Sequence, residues 1–343
     1  MKNAVLNVDL DALLYNFRHL KCFYKKNIIA VLKDDAYGLN LIAIANTLKN
    51  EENVIFAVSS IDEAISLRNN DISNDILLLS VFEKEDIEQI KNYNITVTIH
   101  SYSQLLSIKN TSINFHLKFN CGMNRLGIYI DEKEKVIKEV NNNINCYNLK
   151  GIMTHFANND KDHKSYYSFE KIVNKINKKD LIIHCFASES LSENSKDITN
   201  YIRVGIKLYG IGERNMFLQN VVSIYSPILE CKKIKVNELV GYDYLFKTPA
   251  NGYLYILPLG YAKGFGSFNE SFIYYEGIYL KQAGKISMDY STYFSTKLIK
   301  KDRIFEVVGK HISIEQLCKT NHIKPHEFLV KLKLPIKYYK KQI

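Results

Sequence analysis

The stretch VIFAVSSIDEAISLRNNDISNDILLLSVF, residues 54–82, decides the fold class. VIFAVSS (54–60) and ILLLSVF (76–82) are short apolar runs rich in β-branched residues, which reads as two strands. Ile61–Arg68 between them mixes apolar and charged residues and reads as an amphipathic helix. Strand, helix and strand in that order form a crossover unit, which places the strands parallel. Strands this continuously apolar suggest burial on both faces, as in sheets covered by helices.

The same rhythm extends in both directions. IIAVLK (28–33), ITVTIH (95–100), INFHLKF (113–119), LKGIMTHFA (149–157), LIIHCFA (181–187) and YIRVGIKLYG (201–210) read as further strands. Helices are predicted at Leu41–Lys49, Lys84–Lys91, Ser103–Lys109, Lys133–Glu139 and Tyr166–Lys178. Eight strands alternating with helices predict an α/β fold in which residues 1–215 form a (β/α)8 TIM-like barrel, with a doubly wound sheet as the alternative. After about residue 215 the helical period fades. VVSIYSPILECKKIKV, YLYILPLG, SFIYYEGIYL and RIFEVVG predict a mostly antiparallel β domain over 216–343, with short helices at Ile314–Lys319 and His326–Leu332.

Composition narrows the function classes. The 343 residues are 46% hydrophobic and 24% charged, which suits a large buried core. No run approaches the ~20 apolar residues that span a bilayer. Asp9 and Asp11 interrupt the opening segment where a signal peptide would be apolar, so a cytoplasmic location is expected. The six cysteines show no metal-ligand or CxxC spacing and are expected to be free thiols, with no metal bound. The net charge of +10 is spread as scattered lysines rather than one aromatic-interleaved block, so neither nucleic acid nor a membrane is expected as a partner. GxGxxG and Walker patterns are absent, which argues against a nucleotide cofactor.

Lys33 ends a β-branched run, where barrels of this class carry their active sites. Alone, such a lysine is ordinarily just solvated. Its flanking string AVLKDDAYG (30–38) resembles the lysine motif of the alanine racemase family, in which that lysine carries pyridoxal 5'-phosphate. The resemblance continues in order down the chain. HLKFNCGMNRLGI (116–128) resembles the segment supplying an active-site arginine, here Arg125, and an upstream lysine, here Lys118. In some members the matching lysine is carbamylated and pairs with that arginine; an unmodified lysine is the alternative. GIMTHFA (151–157) is similar to the segment whose histidine, His155, lies against the cofactor ring, and HCFASES (184–190) to the one whose serine, Ser188, binds the phosphate. YIRVGIKLYGI (201–211) resembles the stretch that gives Arg203 at the pyridine nitrogen and Gly205 and Ile206 at the phosphate. VGYDYLF (240–246) is similar to the second-base motif, with Tyr242. ILPLGYAKGF (256–265) and GKISMDYS (284–291) resemble segments placing Tyr261 and Met288 near the substrate carboxylate. Tyr338, in LPIKYY (334–339), and Tyr37 are expected at the phosphate.

The resemblance implies an isomerase that interconverts L- and D-alanine, supplying D-alanine for peptidoglycan, as a homodimer whose active site is shared between subunits. Removing the α-proton from one face and returning one to the other requires two bases, here Lys33 and Tyr242. A tyrosine near its reference pKa of ~10 needs nearby positive charge to serve as a base. An arginine at the pyridine nitrogen leaves it unprotonated, which suits brief proton exchange rather than decarboxylation. A racemase for serine or basic amino acids is the nearest rival. A non-catalytic pyridoxal-phosphate carrier is the other, and such proteins resemble the barrel alone. The chain departs from the family pattern at Asn120, Ala187, Asp243, Lys263, Ser287 and Ile336.

Overall fold

The computed structural model describes residues 3–157, 164–187, 198–212, 217–266, 268–300 and 302–340. Its strands are numbered along the chain, beginning with β1 (Val5–Asp9), a segment the sequence pattern did not mark as a strand. Then follow β2 (Asn27–Val31), β3 (Ile55–Val58), β4 (Ile76–Leu78), β5 (Thr96–Ile99), β6 (Asn114–Lys118), β7 (Asn148–Met153), β8 (Ile182–His184) and β9 (Tyr201–Val204). These eight form one parallel sheet in the order β8-β7-β6-β5-β4-β3-β2-β9. A parallel bridge between Ala187 and Arg203 brings the two ends together. The sheet is a barrel, and the doubly wound alternative falls.

Each strand begins or ends where its local chemistry changes. Helix Ile61–Asn69 is opened by a capping box in which the Ser60 side chain accepts from the Glu63 N–H and the Glu63 carboxylate accepts from the Ser60 N–H. Helix Leu41–Leu48 starts at Asn40, whose side chain accepts from the Ala43 N–H. Ile29, Val31, Ile55, Ala57 and Leu77 form one apolar cluster across three adjacent strands. The other side of the barrel is different. In β5 and β6 the polar residues Thr96, Thr98, His116 and Lys118 alternate with Val97, Ile99, Phe115 and Leu117, and all eight are buried. Since alternate residues face opposite sides of a strand, one face of each is polar and yet shielded from water. Those strands therefore do not meet the expectation of continuously apolar faces.

All eight predicted barrel strands end earlier than the pattern suggested, ILLLSVF at Leu78, LKGIMTHFA at Met153 and LIIHCFA at His184 among them. IIAVLK stops at Val31, and Lys33–Gly38 forms a helical turn. Its residues Asp34, Asp35, Ala36 and Tyr37 have φ of 55°, 53°, 53° and 62°, so the turn is left-handed. Each L-residue there costs about 1–2 kcal/mol, and the surroundings pin it. Glu63 accepts from the Asp35 N–H at 3.0 Å, and Asp35 accepts from the Leu41 N–H at 2.7 Å. YIRVGIKLYG leaves the strand at Val204 and enters a 3-10 turn, Ile206–Tyr209.

Backbone contacts divide the chain into two compact units, one of residues 17–36 and 40–208, the other of 1–16, 37–39 and 209–343. The second unit contains β10 (Val222–Pro227), β11 (Glu230–Ile234), β12 (Leu239–Val240), β13 (Phe246–Lys247) and β14 (Gly252–Leu257). It continues with β15 (Phe272–Tyr275), β16 (Ile278–Gln282), β17 (Ser291–Ser295), β18 (Ile304–Val308) and β19 (Ile336–Tyr339). Nine strands pair in the order β11-β14-β17-β16-β15-β18-β10-β1-β19, all antiparallel except β1 with β19. Helices Ile314–Thr320 and Pro325–Lys331 complete the unit within a residue or so of expectation. No helix among the described residues is long and apolar enough to cross a membrane.

Candidate active site

The carboxyl ends of the barrel strands bring five of the expected residues into one charged neighbourhood. Lys33 follows β2 and lies 3.8 Å from the Asp34 carboxylate, with nearly half its side chain exposed. Lys118 ends β6 and is buried; burial and the nearby Arg203 and Arg125 guanidinium groups bring its amine down to about 8. Arg125 sits in a loop closed by Asn120, whose side-chain oxygen accepts from the Gly122 and Asn124 N–H groups. The loop is fastened at its base, where the Asn120 N–H donates to the Ile128 carbonyl and the Ile128 N–H to the Lys118 carbonyl. The departure at Asn120 is thus a local loop fastener.

Arg203, on β9, is buried, and among the described residues none of its partners is a carboxylate. Nη1 donates to His184 Nδ1 at 2.8 Å and to the His184 carbonyl at 3.1 Å. Nη2 donates to the Thr154 and Cys185 carbonyls at 2.8 and 2.9 Å, and to His155 Nδ1 at 3.1 Å. Burial, reinforced by Arg125, lowers its guanidinium to about 10, so it is cationic at neutral pH. Its Nε–H makes no hydrogen bond among the described residues, which leaves a directed donor for an acceptor such as a pyridine nitrogen. The residues therefore fit the expected cofactor.

His155 is held down to about 3 by burial first and then by Arg203, Arg125, Lys118 and Lys33. It is neutral, and because Arg203 can only donate to Nδ1, its own proton sits on Nε2. His116 and His184 are likewise neutral, pushed far down by burial and by Arg203, and His100 falls to about 4. Their native forms bind fewer protons than the unfolded chain below the ordinary histidine pKa of ~6.5. Stability is therefore complete above about pH 6.5 and lost as pH falls toward 4, by about 1.4 kcal/mol per pH unit for each histidine. Urea unfolding at pH 7, 6 and 5 checks this; a midpoint unchanged across that range would contradict it.

Gly205 and Ile206 lie where β9 passes into the 3-10 turn. Ser188 lies outside the described residues.

In the second unit, Tyr37 is buried edge-on to Tyr209 at 5.6 Å and tilted against His326 at 5.8 Å. Tyr338, on β19, donates its hydroxyl to the Leu39 carbonyl at 3.1 Å. Three segments carrying the other expected residues meet on one edge of this unit. The Tyr261 and Ala262 N–H groups donate to the Ser287 and Met288 carbonyls at 3.1 and 2.9 Å, and Asp243 pairs with Lys285. Tyr242, Tyr261 and Met288 are all exposed there, at 67%, 45% and 56%. Gly260 permits this approach, since a Cβ there would fall 2.3 Å from the Met288 carbonyl oxygen. Asp243 has φ of 58°, a left-handed conformation that aspartate tolerates, which accounts for the departure from glycine. Ser287 closes a tight turn by exchanging hydrogen bonds with Tyr290.

His184, His116 and Thr154, which the motif reading passed over, prove to be part of the buried framework around Arg203. The alternation in INFHLKF and the pair of polar residues ending GIMTH were the available signal. No group of three or more potential metal-ligating side chains is present among the described residues.

Comparison with known proteins places this arrangement. Residues 8–213 match the family described as alanine racemase, N-terminal domain, and residues 221–338 match alanine racemase, C-terminal domain. An alanine racemase of Fusobacterium nucleatum is 37% identical over 274 residues, covering 76% of each chain. One of Staphylococcus epidermidis is 32% identical over 305 residues, covering 83% of this chain and 79% of the relative. Among solved structures, the alanine racemase of Bartonella henselae with covalently bound pyridoxal phosphate superposes with a TM-score of 0.90 at 26% identity, over 99% of this chain and all of that one. Barrel, β domain and the ordered motifs agree on one assignment: the chain belongs to the alanine racemase family.

Proposed function

We propose that this chain interconverts L- and D-alanine on pyridoxal 5'-phosphate, with Lys33 and Tyr242 as bases on opposite faces of the substrate. The observation that carries the reading is the Arg203 cluster, a buried cation with, among the described residues, no acidic partner and one unused donor, beside neutral His155 and near Lys33. Bound pyridoxal phosphate supplies an electron sink that makes the α-proton of an amino acid removable. Lys33 would hold it covalently, His155 would lie against its ring, and Arg203 would donate from Nε to its ring nitrogen. Ser188, Gly205, Ile206, Tyr37 and Tyr338 would hold its phosphate with hydroxyl and backbone N–H groups.

The chain's own groups account for the proton movements. Lys33, once its amine is released, takes or returns the α-proton on its face. Tyr242 does so on the other face. Arg125, Tyr261 and Met288 would lie at the substrate carboxylate. Lys118, buried between two arginines, is proposed to carry a carbamate, which would turn a third cation into an anion that fixes Arg125. A carbamate resonance from ¹³C-bicarbonate that disappears in Lys118→Ala is the expected sign; none would leave the lysine free.

The exposed Tyr242, Tyr244, Leu245, Met288 and Tyr290 form an apolar edge of the kind that joins subunits. A homodimer in which this edge completes a partner's barrel is the reading we favour, together with a cytoplasmic location and a role in peptidoglycan supply. The decisive assay incubates the purified protein with L-alanine and reads D-alanine with a D-amino-acid-specific oxidase, with L-serine and L-lysine alongside. D-alanine as the main product is the expected result. A borohydride-reducible chromophore on Lys33 without any D-product would leave only a cofactor carrier.

A further inference from the structure

Arg203 is gripped from behind by two histidines. Arg203 Nη1 donates to His184 Nδ1, and His184 Nε2 lies 2.8 Å from His116 Nδ1. Both imidazoles are almost wholly buried, with His116 2% and His184 0% exposed. The direction of every bond in this string follows from its first member. A guanidinium has no lone pair to offer, so His184 Nδ1 must accept. A neutral His184 then carries its proton on Nε2 and donates it to His116 Nδ1. His116 in turn carries its proton on Nε2, for which no hydrogen bond is present among the described residues.

A cavity borders this imidazole. His116 lines a cavity of about 160 Å³ together with Asp75, Thr96, Asn114 and Lys150. These residues sit at or near the amino ends of β4 to β7, opposite the end where Lys33 and Lys118 lie. Asp75 and Lys150 at its rim are exposed, and the cavity is large and polar enough for several waters.

We propose that His116 is a positioning residue which, through His184, holds Arg203 by a one-way hydrogen-bond string ending on water in the cavity at the amino end of the barrel. The chemical reason is that a carboxylate behind Arg203 would hold it equally well but neutralise its charge. Two neutral imidazoles orient the guanidinium and leave the full positive charge for the cofactor side. Room for the His116 ring comes from Gly151, where a Cβ would fall 2.8 Å from His116 Cε1 and 2.5 Å from the Ile182 carbonyl oxygen.

The inference rests on the proposed cofactor, and its test does not depend on alanine turnover. Nitrogen-15 spectra of the cofactor-loaded protein, with labelled histidine, are expected to show His184 and His116 neutral, protonated on Nε2, and unchanged from about pH 5 to 9. His116→Leu removes the acceptor of the His184 proton. It is expected to weaken pyridoxal-phosphate binding by about tenfold or more and to shift the absorption of the bound cofactor. His116→Asn, whose side-chain oxygen can accept in place of Nδ1, is expected to restore both toward wild type. A proton on Nδ1 of either histidine overturns the proposal. So does a His116→Leu protein with unaltered cofactor affinity and spectrum, or one whose defects His116→Asn fails to relieve. A protein that passes these tests and makes no D-alanine would instead sink the racemase reading.

Discussion

Lys33→Ala is expected to abolish alanine racemisation, with kcat down by more than about 10⁴-fold, because the residue is the proposed cofactor anchor and also the proposed base. Tyr242→Phe should cost about 10² to 10⁴-fold in kcat, the range for one lost general acid–base group, while the cofactor stays bound. The two variants should differ in kind as well as size. In deuterated solvent, Tyr242→Phe should still exchange the α-proton of the one enantiomer that presents it to Lys33, returning deuterium to the same face. Lys33→Ala should exchange neither. Racemisation at the wild-type rate by Tyr242→Phe would remove that residue from the mechanism. Mixing Lys33→Ala with Tyr242→Ala subunits tests where Tyr242 acts. If each site takes one base from each subunit, random pairing leaves about one site in four intact, and activity reappears at that level. No recovery at any mixing ratio would assign Tyr242 to its own barrel.

The second large effect concerns Arg203. Its two terminal nitrogens serve three carbonyls and two imidazoles in a space closed to water. Arg203→Leu leaves these acceptors without their donor and is expected to lower unfolding stability by about 3–5 kcal/mol, read by urea denaturation of the cofactor-free protein. Arg203→Lys keeps a charge but has neither the forked geometry nor the Nε–H, so it should recover only part of that loss. A Leu variant as stable as wild type would mean that the network contributes nothing net. The cofactor-bound Lys variant adds a second reading, since a changed absorption would report a changed contact at the ring nitrogen.

The barrel was legible because each of its strands is a dense apolar run set apart by a helix, and runs such as VIFAVSS and ILLLSVF depend on nothing distant. β1 was not, since its five residues find partners only at Val222–Tyr225 and at Ile336–Tyr339, far along the chain. Helix Leu10–Tyr24 was passed over although Leu10, Leu13, Leu14 and Phe17 recur at helical spacing. Among the proposed site residues, Lys33, His155 and Arg203 could be named from their motifs, and the structure brings them near one another within the barrel unit. The support behind them could not. Nothing local to His116 or His184 says that their rings meet, because the contact spans 68 residues and depends on how β6 and β8 enter the barrel. The left-handed course of Asp34–Tyr37 was equally hidden, since only one glycine stands in that turn.

β1 lies between β10 and β19, with Leu6 opposite both Ile224 and Ile336. During synthesis, residues 5–9 leave the ribosome before either neighbour and must wait for both. At about 5–20 residues per second, the last of them follows roughly 15 to 65 seconds later. The barrel strands can pair in that interval, but the nine-stranded sheet cannot close until residue 339 has emerged. A nascent chain stalled short of β19 would carry β1 as an open edge, a ready template for the wrong partner.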